Sequence, residues 1–342
     1  MYIMKFDSGF SIQSGPLETS NIRSCTVTQC VNSGDNLTVG SVCSACLEAT
    51  IEDPAARIKA GLSLNLLETN ASGEAQRVGR FRIKAVDKKG KHLYKVTAFD
   101  NVSELDKDLR IWLLRFDWSQ NCTLREFASK VCIACGVRLK TGNFPNEDVI
   151  LGTAVMDTKV TGRSLMRWCA EIAGRYCVAD EVGNICFDWY SSSGDRYHEI
   201  FADGERHYYA GSFTYGERYL SEIDAVVIRQ LDGTLWPETW GLDEVAYSNP
   251  CIIEKNMFLI SNFDGEHRMS ALKRIKSSLD ATPSGRPFKI SCPAAVGRNI
   301  HAGDTLNISD VTGRGFASII MSKVRTGQKV TLECTGSYRR QN

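Results

Sequence analysis

Alternation of apolar and polar residues dominates the first hundred positions of the chain. Residues 62–66, 81–85 and 94–98 each place an apolar side chain at every second position. A period of two is typical of a strand that buries one face, and the last two runs, joined by turn residues at 87–90, predict a hairpin. The pattern therefore predicts an antiparallel β domain that ends near Asn101.

Helical periodicity replaces this alternation in the next part of the chain. One apolar stripe follows a capping box at 123–126, and a second stripe, capped by Thr161 or Ser164, ends at Gly174. Two short strand patterns come directly after the second stripe. Together these elements predict a small α/β domain over residues 106–192.

Strand patterns return after this domain, with one helical interruption. An apolar run at 225–228 and at least four runs near the end predict strands, while residues 264–281 carry a helical stripe. The chain is therefore expected to be mainly β with α+β character. The predicted domains are a β domain at 1–105, an α/β domain at 106–192 and a second β domain at 193–342, with a helix-containing insertion at about 236–285.

Composition narrows the class of protein without suggesting a ligand. Lys and Arg together number 41 and Asp and Glu 40, so no overall field attracts nucleic acid or an anionic membrane. No apolar run approaches the roughly 18 residues of a membrane span, and the first residues lack a signal-peptide core. We therefore expect folding in a cytoplasm, with the 13 cysteines as reduced thiols.

Four cysteines near the N-terminus have a spacing that could serve a metal. Cys25, Cys30, Cys43 and Cys46 read C-x4-C-x12-C-x2-C, which could give a four-thiolate zinc site. Their neighbours alternate as strands, and cysteine is a common small core residue, so packing roles are favoured. A later CxxC pair at 132–135 lies on a buried helical stripe. The prediction is no metal and no cofactor, with these first four cysteines as the metal candidates.

No catalytic set is evident in the sequence. His198, Asp203 and His207 could meet at a metal, but histidines are routine in aromatic-rich hairpins. Trp236 and Trp240 flank a Pro-Glu loop and could form either a saccharide-stacking platform or an interface anchor. Nucleophile elbows, zinc-protease helices and phosphate-binding glycine loops are missing. The sequence therefore predicts no catalytic residue and no enzyme.

Short blocks of the sequence resemble the tail-associated hub proteins of long-tailed phages and prophages. The blocks are distributed along nearly the whole chain. They are residues 40–48, 78–81, 96–100, 123–127, 135–137, 161–163, 170–174, 188–190, 291–293 and 302–304. The resemblance implies a tail-tip or baseplate hub with two tube-like antiparallel β-barrel domains and a small α/β domain. In that family three subunits place six barrels in a ring that matches the hexameric tail tube.

The resemblance also implies partners and a location. The expected partners are further copies of the chain in a homotrimer, distal tail or tube proteins, the tape-measure protein and tail fibre or spike proteins, with DNA only in transit. The expected location is the virion tail tip, after assembly in the bacterial host cytoplasm. The sequence stops at Asn342, without the long C-terminal modules of many family members, so cell-wall hydrolysis and host recognition are not expected. The alternatives are a peptidoglycan-degrading tail enzyme and a zinc-stabilised or saccharide-binding tail module.

Overall fold

The computed structural model describes most of the chain, in segments separated by short gaps. The described residues are 1–13, 21–32, 37–69, 73–153, 160–190, 197–201, 212–216, 222–240, 246–261, 263–280, 285, 287–309, 315–335 and 338–339. Within these segments strands predominate, and the buried side chains form three hydrophobic cores. Two cores belong to β units and the third belongs to an α/β unit.

The first β unit consists of seven antiparallel strands around one core. Its strands are β1 (Tyr2–Phe6), β2 (Ser11–Gln13), β3 (Ile22–Cys30), β4 (Cys46–Glu52), β5 (Ser63–Thr69), β6 (Ala75–Lys88) and β7 (Leu93–Asp100). They are hydrogen-bonded in the order β3-β4-β7-β6-β5-β1-β2. All seven strands contribute to the core, whose fully buried members include Met4, Leu47, Leu64 and Val96.

The β6–β7 hairpin confirms the predicted pairing, but two details differ from the prediction. The register shifts between Ile83 and Ala85, and Ala85 is exposed whereas Val86 is half-buried. The prediction that Ala85 faces the core is wrong, because a bulge adds one residue to β6 and reverses the alternation. The turn lies later than predicted, at 89–92, since β6 continues to Lys88.

The α/β unit begins directly after β7. Its first elements are a 3₁₀ helix (Asn101–Asp106), α1 (Arg110–Leu114), β8 (Cys122–Thr123), α2 (Leu124–Cys135), β9 (Ile150–Leu151), α3 (Gly162–Ala173), β10 (Tyr176–Ala179) and β11 (Ile185–Asp188). Thr123 and Glu126 form the predicted capping box of α2, and Thr161 caps α3. Gly136 and Gly174 end the two helices in left-handed conformation, so both predicted helices are confirmed.

A later segment of the chain docks on this α/β unit. After β12 (Tyr197–Phe201) and β13 (Ser212–Tyr215) come β14 (Val226–Arg229), β15 (Leu235–Trp236), β16 (Cys251–Glu254), α4 (Met257–Ser261) and α5 (Gly265–Leu279). Strands β14 to β16 form a small sheet, and Leu272, Ile275 and Leu279 of α5 are buried in the same core as α2 and α3. The predicted helix at 264–281 is thus confirmed as α5.

The second β unit contains β12, β13 and the last elements of the chain. These are β17 (Phe288–Pro293), α6 (Ala294–Gly297), β18 (Thr305–Ser309), β19 (Gly315–Thr326), β20 (Lys329–Cys334) and β21 (Tyr338–Arg339). Strands β13, β17, β20 and β19 are successive antiparallel neighbours, and β18 joins β19 to a parallel β12. Ile290, Leu306, Ile320 and Leu332 lie at the centre of the core of this unit.

One sheet runs through both β units. Strand β19 pairs antiparallel with β3, from Ser322 opposite Cys30 to Thr326 opposite Thr26, so the order is β13-β17-β20-β19-β3-β4-β7-β6-β5-β1-β2. The prediction of a mainly β protein with a smaller α/β part is confirmed. No pairing among the described strands closes either unit into a barrel. None of the helices in the described segments is long and apolar enough to cross a membrane.

Candidate functional site

Charged side chains are buried where the two β units meet. Glu68 of β5 is bound by Arg325 of β19 and by Arg298, whose Nη2 lies 2.7 Å from Glu68 Oε1. The side chains of Glu68 and Arg325 are only 5% and 7% exposed. Lys323, two residues before Arg325, donates to the backbone carbonyls of Arg298 and Ile300. The joint therefore combines backbone pairing with an internal ion network.

Burial and charge act in opposite directions on the pKa of Glu68. Burial alone raises the pKa of Glu68, but the hydrogen bonds and charges of Arg325 and Arg298 outweigh burial, and the pKa is lowered. Burial, together with the nearby Arg325 charge, lowers the pKa of Lys323 to about 8. Glu68 is thus held ionised between two guanidinium groups.

Sequence reasoning missed this network. Lys323 and Arg325 occupy alternate positions of a strand, so they share one face, but a charged pair in that pattern usually marks the solvent side. Their partner Glu68 is more than two hundred residues away in the chain, and no local pattern links the two segments. The structure shows that Val324, the apolar residue between them, is only half-buried, so the charged pair lies on the more buried face of the strand.

A strap formed by residues 37–45 fastens the first β unit to the α/β unit. Leu37 and Val39 are buried in the α/β core. The Gly40 amide donates to the carbonyl of Arg175, and the amides of Cys43 and Cys177 complete a short parallel bridge with β10. These contacts place the strap between two units that share little other backbone pairing.

The guanidinium of Arg163 holds the far end of the strap. It donates to the Val42 carbonyl at 2.5 Å and to Ser44 Oγ at 3.0 Å. It also reaches Asp106 at 2.6 Å. At the return into β4, the Ala45 amide donates to Asp100 at 2.9 Å. Burial raises the pKa of Asp100 to about 7, although the hydrogen bonds from the amides of Ala45 and Val102 act to lower it.

The strap passes close to a buried carboxyl of α3. Gly40 has a φ of 84°, and a Cβ atom at this position would lie 2.2 Å from Glu171 Cγ. Only glycine fits here without displacing that side chain. The Glu171 carboxyl accepts a hydrogen bond from Asn256 Nδ2 at 2.7 Å, which links α3 to the segment before α4.

A cleft of about 680 Å³ lies where all three units meet. The first β unit and the strap contribute Cys30, Cys43 and Asp100, and the α/β unit contributes Phe144 and Phe187. The second β unit contributes His301, Ala302 and Asp304. The volume is in the range of small-molecule pockets. Two of its carboxylates, Asp100 and Asp304, accept backbone amides.

Two of the four metal-candidate cysteines, Cys30 and Cys43, line the same cleft. Cys25 is buried in the core of the first β unit, and Cys46 begins β4, where it is paired with Thr28 of β3. In the described segments no group of three or more His, Cys, Asp or Glu side chains is placed to hold a metal ion.

The remaining candidates lie apart from one another. His198 Nε2 is 2.9 Å from Asp304 Oδ2, within the second β unit, while residues 203 and 207 fall outside the described segments. Cys132 and Cys135 are buried on α2. Trp236 and Trp240 pack against the α/β core, and the guanidinium of Arg268 covers the Trp236 ring at 5.0 Å from its centroid. The two cysteines and the two tryptophans therefore contribute to packing.

Comparison with known proteins gives a result only at the level of structure. No family model and no curated protein sequence matches the chain. The structure is similar to the 43 kDa tail protein of prophage MuSo2 from Shewanella oneidensis, with 13% identity, a TM-score of 0.58, and 98% of this chain and 97% of that chain covered. It is also similar to a tail protein from Neisseria meningitidis, with 11% identity, a TM-score of 0.59, and coverage of 98% and 96%.

These likenesses define the class of fold. Both solved proteins are tail proteins, and each is matched over almost its full length. At such low identity the likeness shows a shared fold. The fold is therefore one found in phage-type tail proteins, and the resemblance carried by the short sequence blocks is confirmed at this level.

Proposed function

We propose that this chain is the structural hub subunit of a phage-type tail tip or baseplate, and that three copies form a ring which continues and closes the tail tube. The role is structural, and it requires no catalytic residue. Distal tail or tube proteins bind one face of the ring, and the tape-measure protein ends at its centre. Fibre or spike proteins attach at the tip, and DNA contacts the ring only in transit.

The pairing of β3 with β19 carries this proposal. It sets two β units, each with its own core, side by side in one continuous sheet. A chain that already joins two such units by strand pairing needs only to repeat that joint between copies to build a ring. Three copies then supply six β units, which is the number needed to match a sixfold tube.

The curvature of the first β unit supports a tube-like domain. Its seven strands share one core, which a flat sheet could not enclose. The amide of Asn21, the residue before β3, donates to the carbonyl of Gln13, the last residue of β2, at 3.1 Å. The two ends of the strand order thus come within hydrogen-bond distance. We propose that both β units are barrels of this kind, with further pairing at their edges.

The division into domains at 1–105, 106–192 and 193–342 belongs to the same proposal. The insertion near 236–285 then serves the middle domain, because β16, α4 and α5 contribute to the α/β core. The middle domain and its insertion lie beside the strap and brace the two β units. The proposed location is the virion tail tip, after assembly in the host cytoplasm.

The state of assembly tests this proposal. We would measure the mass of the purified full chain by sedimentation, alone and co-expressed with the neighbouring tail tube protein, and image the particles by negative stain. The expected particle has three times the 38.0 kDa mass of one chain and shows six densities around a central channel. A chain that stays monomeric under both conditions, or a ring without threefold symmetry, would contradict the proposal.

A further inference from the structure

A small cavity lies inside the joint between the two β units. Its volume is about 30 Å³, and it adjoins the 680 Å³ cleft, because Gln29 and Val78 line both spaces. A space of this size admits a water molecule or a monatomic ion. Its wall includes the polar side chains of Gln29, Glu68, Arg77, Arg298, Lys323 and Arg325. Positive side chains therefore outnumber negative ones around the cavity.

The buried charges at this cavity do not balance. Arg298, Lys323 and Arg325 are cations, while Glu68 is the only carboxylate in the described part of the wall. The side chains of Arg298, Arg325 and Glu68 are 25%, 7% and 5% exposed, and Lys323 is buried. The charge of Asp304, in the neighbouring cleft, also acts on Lys323. Even with Asp304 counted, three cations face two carboxylates, and a surplus buried cation is costly unless an anion accompanies it.

One hydrogen-bond donor of this group has no protein partner. Arg325 uses Nη1 and Nη2 to bind Glu68, but its Nε is buried and pairs with no atom of the described residues. The side-chain oxygen of Gln29 is likewise buried and unpaired. Gln29 lies opposite Lys323 in the β3–β19 pairing, so the two side chains share one face of the sheet. Half a turn of the Gln29 amide presents its NH2 group in place of the oxygen, which supplies a second donor.

We propose that this cavity binds one chloride ion, which accepts hydrogen bonds from Arg325 Nε and the Gln29 amide and balances the charge of Lys323. Sulfate, phosphate and carboxylates are excluded by size, because the space admits only a monatomic ion. Gln29 belongs to β3 and Arg325 to β19, so the ion links the two strands that join the β units. The stability of the joint therefore depends on the halide concentration.

Chloride NMR tests binding to the wild-type chain directly. A chloride ion that exchanges between solution and the protein broadens the ³⁵Cl line. We expect a broadening that saturates as chloride is added, and that bromide removes by competition at equal ionic strength while gluconate does not. Broadening that never saturates, or that gluconate removes as well as bromide does, would overturn the proposal, because it would come from the exposed lysines and arginines alone.

A matched pair of variants locates the ion. Gln29→Glu places a carboxylate at the cavity, which repels chloride and itself balances the surplus cation, so the saturable broadening should disappear. Gln13→Glu makes the same change on β2, where the side chain is exposed, and should keep the wild-type broadening. Loss of the signal in both variants, or in neither, would contradict a site at Gln29.

Thermal denaturation tests the effect on the joint. At equal ionic strength the wild-type chain and Gln13→Glu should each have a Tm roughly 3 °C higher in sodium chloride than in sodium gluconate. Gln29→Glu should have the same Tm in both salts. Equal wild-type values in the two salts are the result expected of a water molecule in the cavity, and they would refute the chloride site.

Bromide diffraction gives the position of the ion without any substitution. Bromide is a monatomic halide that scatters anomalously, so crystals of the full chain grown in bromide should show one anomalous peak between Arg325 Nε and Gln29. Peaks confined to the outer surface of the molecule would exclude the proposed site.

Discussion

Glu171 is a single buried carboxyl that makes the stability of the fold depend on pH. Its side chain is 6% exposed, and the only nearby cation is Arg167 at 3.5 Å among the described ion pairs. Burial raises the pKa of Glu171 from 4.5 to about 8, which the Arg167 charge and the Asn256 hydrogen bond offset only in part. At neutral pH the folded chain therefore keeps a proton that the unfolded chain releases.

Replacing Glu171 by glutamine should remove this linkage. The protonated carboxyl stabilises the wild-type fold fully below about pH 4.5, and that stabilisation is lost as the pH rises towards about 8. Glu171→Gln should therefore be more stable than wild type at pH 8, with a difference that shrinks by up to about 1.4 kcal/mol per pH unit on acidification. Urea denaturation across this range measures the effect.

An exposed carboxylate gives the control for this experiment. Asp7 pairs with Arg80, and its side chain is 43% exposed. Asp7→Asn should change stability by less than about 1 kcal/mol at every pH. If the Glu171 variant differed from wild type by the same amount at pH 5 and pH 8, the linkage to this carboxyl would be refuted.

At the scale of elements, the start of α3 depends on a close approach. Gly162 is the first residue of α3 and is buried, and a Cβ there would lie 2.4 Å from Cys135 Sγ of α2 and 3.0 Å from the Leu105 carbonyl. Gly162→Ala should push α3 away from these neighbours and cost about 2 kcal/mol of unfolding free energy. Urea denaturation of the variant gives this value.

The matching position in α5 provides a comparison. Gly265 is also the first residue of its helix, and a Cβ there would meet nothing within 4 Å. Gly265→Ala should be neutral or stabilise the chain by about 0.5 kcal/mol, because alanine restricts the unfolded state. Equal effects of the two substitutions would show that α3 is not held by close packing at Gly162.

The sequence predicted the elements whose signals are local. A capping box spans four residues, so Thr123 and Glu126 sufficed to place the start of α2, and Gly136 placed its end. The bulge at Ala85 was not predictable, because it depends on how β6 fits β7. The stripe of α5 identified its buried face, but a stripe carries no information about which unit that face contacts.

At the scale of the whole molecule, the joint between the β units depends on Glu68. Glu68→Gln would leave the buried guanidinium of Arg325, and that of Arg298 beside it, without their carboxylate, and should cost about 3 kcal/mol at neutral pH. In the wild type the lowered pKa of Glu68 means that its stabilisation is present above the unfolded-state pKa and is lost on acidification through the folded-state pKa. Urea denaturation at neutral pH measures the cost.

A surface pair on the same unit controls for the loss of charge. Glu48 lies 3.7 Å from Lys95, and both side chains are about half exposed. Glu48→Gln should cost less than about 1 kcal/mol. A similar cost for both variants would show that Glu68 contributes no more than a surface ion pair.

The pairing that joins the two β units could not be predicted from the sequence. Strand β3 pairs with β19 at positions as distant as Thr26 and Thr326, and no motif links them. The two thiols at the cleft were identified from their spacing, but as members of a four-cysteine set that the fold does not assemble. Distant pairings of this kind follow from the closure of the whole sheet, which single-sequence patterns do not encode.

The shared sheet also affects how this protein can evolve. Hydrogen bonds between β3 and β19 join peptide groups, which every residue except proline supplies in full. Side chains along the β3–β19 pairing can therefore be exchanged freely, provided that the inward positions stay apolar or keep an ion-pair partner. A seam made by the main chain tolerates sequence drift, and this is consistent with a fold still recognisable in tail proteins that share only 11% to 13% of their residues with it.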